Sequence, residues 1–188
     1  MSRTQGRFAL AAACAVALTA SVYLDAQTPP PPTTLGSTVG QRWKMLGRDL
    51  VALAEAMPED KWNFKPTTGE FASVRTFGEQ IKHAACANEA FMLEIEHKEP
   101  PANCENGGPH PAKTKAEVIQ YLRQSFARLD AAVESLTPAN ALQAAGGRYG
   151  GQSTRLGLIT LAVWHGADHY GQLVVYLRMN GIVPPASR

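Results

Sequence analysis

No stretch of this sequence is rich in Lys or Arg, charged residues make up only 18% of it, and its formal net charge is +2. Binding to nucleic acid or to an anionic membrane needs a basic footprint, and the chain has none. A Gly-rich phosphate loop is also missing, as are any run of alternating strands and any internal repeat. What periodicity there is has the spacing of helices. No apolar run reaches the roughly 20 residues of a membrane-spanning helix. The nearest approach is Phe8 to Val22, an alanine-rich run preceded by Arg3 and Arg7, with Ala26-Gln27 as a cleavage point beyond it. Residues 1–26 therefore read as a secretory signal peptide; a membrane anchor is the competing reading, and the shortness of the run argues against it. The expected location is outside the cytoplasm, periplasmic or secreted, with no membrane attachment after cleavage.

Cysteine is scarce. Cys14 falls in the leader, which leaves Cys86 and Cys104 in an oxidising compartment. A bond between them would close a short loop and contribute roughly 3 kcal/mol in the chain-entropy picture. The alternative is a buried free Cys86 and an exposed Cys104. Residues 27–34, QTPPPPTT, form a Pro-rich spacer that cannot enter a helix. Residues 35–185 then have the size of one ordinary domain, and losing the leader leaves the chain at a formal +1.

Four segments carry helical periodicity. The first has Val39, Trp43, Leu46, Leu50, Leu53 and Met57 on one stripe and stops at Pro58. Thr76 to Glu79 and Thr114 to Glu117 have the capping-box pattern and open the second and third, the second running to about His97. The fourth starts near Thr154 and ends at Asn180-Gly181, with Pro184 and Pro185 beyond. The links of about 15 residues exceed those of a simple up-down bundle, where roughly 2–8 is usual. The expected fold is an all-α four-helix bundle with long, crossover-type connections. Between Leu156 and Leu177 only Asp168 carries a formal charge, so the fourth helix is either the central one or a contact in a homodimer.

That helix places His165 and His169 four residues apart, on the stripe of Leu158, Leu161, Gln172 and Tyr176. Side chains at i and i+4 share a helical face, so two imidazoles there can grip one ion. His83 stands mid-way along the second helix, beside the small Ala87 and Ala90. Three histidines with a fourth position open is how a catalytic zinc-type site is built. The competing reading makes each a packed core histidine with one hydrogen bond. Glu79, one turn before His83, is a catalytic candidate as proton acceptor, and the N3 residue of its capping box equally. Gln172 is read as a hydrogen-bonding group in the cavity or a surface residue, Tyr170 as packing, and Cys86 as a soft ligand only if it stays reduced. His97 and His110 are read as solvated.

The segments MPEDKWNFKP, SVRTFGEQIKHAACAN and HGADHYGQLVVYLRMNGIVPP together resemble the DinB/YfiT-like family of metal-binding four-helix bundles, over essentially residues 35–185. The resemblance implies a metal triad of His83, His165 and His169 and a divalent ion such as zinc or nickel. It also implies an atypical helix connectivity. Relatives include thiol-dependent transferases and isomerases, whose small-thiol cofactors belong to the reducing cytosol. For an exported protein, metal-dependent hydrolysis or transfer on a small molecule is the expected activity. The alternative is a non-catalytic binder of metal or a small ligand.

Overall fold

The computed structural model describes residues 33–67, 69 and 73–188. The expected signal peptide, and the spacer through residue 32, lie outside the described residues. Helices α1 (Leu35–Ala56), α2 (Phe77–Ile95), α3 (Lys115–Glu134) and α4 (Arg155–Met179) follow in chain order. Thr76 and Thr114 each close a full capping box, with Glu79 and Glu117. Thr34 closes a third with Ser37, where serine does the work usually given to Glu or Gln. At the other end of α1, Pro58 forces Met57 into extended backbone and so ends the helix.

Helix α1 packs chiefly on α3 and α4, and α2 packs on the same two. Consecutive helices α1 and α2 therefore stand diagonally across the bundle, and so do α3 and α4. A diagonal step needs a crossover, which accounts for the long first and third links; the equally long link between the adjacent α2 and α3 carries the Cys104 loop instead. The core between the helices holds Trp43, Leu50, Leu53, Phe77, Ile81, Leu122, Leu129, Leu158, Ile159 and Leu173, all fully buried. Trp43 meets Phe126 with ring centroids 4.5 Å apart.

One expectation needs correction, and of the two readings of the fourth helix one falls away. The all-α reading missed an antiparallel hairpin, β1 (Ala144–Gly147) and β2 (Gly151–Thr154), inside the link from α3 to α4. Its mostly small residues show no apolar alternation, and Thr154 is the one β-branched side chain, so there is little strand signal to read. Its clamp lies elsewhere: the buried Glu94 of α2 accepts from the Tyr149 and Gly150 amides at 2.7 and 2.9 Å. Gly146, at φ 134°, has no room for a side chain, since a Cβ there would lie 1.9 Å from the Gly151 carbonyl.

Nor is α4 the central helix. Fourteen of the nineteen residues of α2 are buried, against eight of twenty-five in α4. The alanines at 84, 85, 87 and 90 let neighbours close on α2 from several sides. On α4, Trp164, Val175 and Met179 face outward and are exposed. Among the described residues no helix is long and apolar enough to cross a membrane.

Candidate metal centre

The packing of α2 on α4 brings together the three histidines that sequence spacing singled out. His83 projects from the middle of α2, and His165 and His169 project from successive turns of α4. His165 Nε2 lies 3.1 Å from His83 Nε2 and 3.2 Å from His169 Nε2. Nitrogens bound at about 2.0–2.1 Å to one tetrahedral ion stand roughly 3.3 Å apart, close to these two distances, and the three ligand atoms all lie within 4.8 Å of one another. Among the described residues these three form the group of metal-ligating type that could hold an ion. His83 and His169 are buried, and His165 is half-buried with its ring edge-on to Phe91.

The partners of the outer nitrogens decide which way the lone pairs face. His83 Nδ1 lies 2.8 Å from the Cys104 carbonyl, which can only accept. That nitrogen therefore carries the proton, and Nε2 presents a lone pair. His169 Nδ1 stands 3.1 Å from the Gln80 side-chain oxygen, with the same consequence. His165 Nδ1 is buried with no hydrogen-bond partner. Two lone pairs thus converge on a third ring nitrogen, and at most one of them can be met by a proton from His165. A cation between the rings satisfies all three. The donor set fits a borderline-soft divalent ion.

Electrostatics keep the rings neutral, as ligation requires. Burial lowers the His83 pKa from its usual value. His165 falls to about 4, first through burial and then through repulsion from His83. His169 falls to about 3, through burial and then His165. The Arg75 guanidinium adds a smaller push on all three. It is paired with Glu105 at 2.7 Å.

The remaining sequence candidates fall outside the triad. Glu79 is exposed, and its carboxylate accepts from the Thr76 amide at 2.7 Å. It caps α2, and its reading as a proton acceptor at the metal is set aside. Gln172 is exposed and donates to Asp168 at 2.8 Å, so it does not line the interior. Tyr170 packs against the core. Cys86 and Cys104 are joined in a disulfide, which removes Cys86 as a ligand. His97 is exposed, but His110 is not merely solvated: it stacks on Tyr121 at 3.6 Å. Sequence reasoning missed Gln80 and the Cys104 carbonyl. Gln80 stands one turn before His83 and carried a usable signal, a polar residue on an otherwise apolar helix face. A loop carbonyl carries none.

Four helices in crossed order around three converging imidazoles define a class of helical bundle with a histidine group that could hold a metal ion. The DinB superfamily family model matches residues 42–173, and the chain belongs to that superfamily. Solved structures with the same fold include a DinB-like protein from Bacillus subtilis, 21% identical, with a TM-score of 0.57 over 77% of this chain and 92% of that one. A DinB-like protein from Bacillus cereus is 12% identical, with a TM-score of 0.55 over 77% of this chain and 92% of its own. A conserved protein from Enterococcus faecalis is 13% identical, with a TM-score of 0.59 over 78% of this chain and 97% of its own. At these identities the likeness is one of fold. No curated protein matches the chain.

Proposed function

We propose that this protein is an exported metalloprotein that holds one divalent ion, zinc or nickel, on His83, His165 and His169 and uses it to hydrolyse, or transfer a group on, a small molecule. The observation that carries the reading is the pair of oriented lone pairs, on His83 and His169, aimed at the third imidazole. When bound, an ion held by three neutral imidazoles supplies Lewis acidity and lowers the pKa of a water or thiol beside it. The chain's own residues then have distinct tasks. The Cys104 carbonyl and Gln80 hold the two buried rings in the ligating tautomer. Phe91 edges the half-buried His165. Arg75, ion-paired with Glu105 and hydrogen-bonded to its carbonyl, helps hold the loop that carries the Cys104 carbonyl. The Cys86–Cys104 bond suits an oxidising compartment, and that setting favours hydrolysis, which needs only water, over transfer from a small thiol.

A second reading, a periplasmic binder of metal or a small ligand without catalysis, draws on one observation. The two carboxylates on α2 nearest in sequence to His83 on either side do other work. Glu79 caps the helix and Glu89 accepts from Tyr121 and Arg128. Cobalt-substituted protein separates the readings. If azide shifts the visible absorption, the fourth position is exchangeable and a screen of activated esters and amides follows. A spectrum indifferent to azide means a closed site and favours the binder.

A further inference from the structure

One ligand of the triad is positioned by a loop, and that loop is closed by a covalent bond. His83 Nδ1 donates to the Cys104 carbonyl, and the sulfur of the same Cys104 is bonded to Cys86, one turn beyond His83 on α2. Around it the chain has little regular structure. A single 3-10 turn at Cys104–Asn106 is flanked by Asn103 and Gly107, both in left-handed backbone. Tyr149, just before β2, reaches the loop from the other side. Its hydroxyl accepts the Cys104 amide at 3.3 Å and donates to the Pro101 carbonyl at 2.9 Å. Arg75 holds the next residue, donating from Nε to the Glu105 carbonyl at 2.8 Å. Gly108, at φ 67°, lets the chain pass over the disulfide, because a Cβ there would lie 2.4 Å from Cys86 Sγ. These contacts hold the loop on both sides of the Cys104 carbonyl that His83 uses.

We propose that the Cys86–Cys104 disulfide, together with Tyr149, is a positioning device for the metal centre. It keeps the Cys104 carbonyl on His83, so that Nδ1 keeps its proton and the Nε2 lone pair stays aimed at His165 and His169. The inference rests on the metal reading of the triad. An outer partner of a metal-bound histidine fixes ring orientation and raises ligand basicity, and its loss typically weakens metal binding 10–100-fold. Reducing the disulfide takes two electrons from an added phosphine, which leaves as its oxide, and two protons with the oxide's oxygen from water; two thiols remain. Reduction frees Cys104 from α2 and, although both sulfurs lie in the buried core, removes none of the helices' aliphatic or aromatic side chains.

The test compares affinities for cobalt and zinc, by competition with a chromophoric chelator, using the full chain as purified. Four forms are measured: oxidised, phosphine-reduced, Cys86→Ser with Cys104→Ser, and Tyr149→Phe with the disulfide intact. The expected result is a roughly 10–100-fold loss in the double-serine form, a loss in the reduced form without the intense sulfur-to-cobalt charge-transfer band of a thiolate ligand, and a smaller loss in Tyr149→Phe. The visible cobalt spectrum should be altered and the helical circular dichroism preserved. A purely structural bond would lower the melting temperature alone, and unchanged affinity and spectrum in the folded, reduced protein would overturn the proposal. If the double-serine variant does not fold, the reduced wild type and Tyr149→Phe decide the matter. If the oxidised wild type binds neither ion, the metal reading itself fails, an outcome distinct from equal binding by oxidised and reduced protein.

Discussion

His165 and His169 show what a single residue contributes at this site. Each is a neutral ring in a place that resists protonation, with pKa values lowered to about 4 and about 3. In the unfolded chain they titrate near 6.5, so between about pH 6.5 and 4 the unfolded state binds protons that the folded state refuses. Stability of the metal-free protein therefore falls on acidification through that window and rises with pH, by at most about 1.4 kcal/mol per pH unit for each histidine. Urea melts at pH 7 and pH 4.5 check this: the wild type should lose more stability on acidification than His169→Ala. An equal pH dependence in the two would contradict the assignment. A second prediction concerns Gln80, which accepts from His169 Nδ1. Gln80→Leu should weaken zinc binding about 10–100-fold in a chelator competition, with the fold intact.

The triad was legible in the sequence because i and i+4 on one helix put His165 and His169 on a single face, and because His83 stands mid-way along a second helix, a grouping the resemblance then supported. Its hydrogen-bonding surroundings were not legible to the same degree. Glu79 has the pattern of both a helix cap and an acid-base group, and only the fold shows that its carboxylate is taken by Thr76. The Cys104 carbonyl has no side-chain identity at all. A backbone acceptor becomes visible only once its loop is placed.

At the scale of elements, capping chemistry was the most readable signal. Thr76 and Thr114 stand one residue before the helices they begin, as their spacing to Glu79 and Glu117 requires. Replacing Thr114 with Ala should cost about 1 kcal/mol in a chemical melt, since the Glu117 amide loses its acceptor. The hairpin was unreadable for the opposite reason. Its strands are held from outside by Glu94, a buried carboxylate bonded to two amides, and no local residue pattern encodes that. Glu94→Ala leaves both amides without a partner and should destabilise the protein by about 1–3 kcal/mol per orphaned group. Hydrogen exchange should show early opening at residues 144–154. Uniform destabilisation, without selective exposure there, would count against this role. Helix α4 shows the limit of periodicity. Its pattern marks an apolar segment, but the neighbours closing on α2 through its alanines decide which helix is surrounded.

At the scale of the whole molecule, α2 and α4 are adjacent only because the chain crosses the bundle between α1 and α2 and again between α3 and α4. The site is therefore a product of the crossed order, and both contributing helices are tied down by long links. An ion bound there stabilises the folded state by mass action, about 2.7 kcal/mol at a hundredfold excess over the dissociation constant. The melting temperature of wild-type protein should rise with added zinc, and that of His165→Ala should not. The central claim is most directly tested by metal content. Wild-type and His83→Ala protein should be purified without chelators or a histidine-rich tag and analysed by mass spectrometry for bound metals. About one divalent ion per wild-type chain, absent from a still-helical His83→Ala variant, is the predicted result. No metal in either protein, or equal metal in both, would contradict the account and return the three histidines to the core as packing residues.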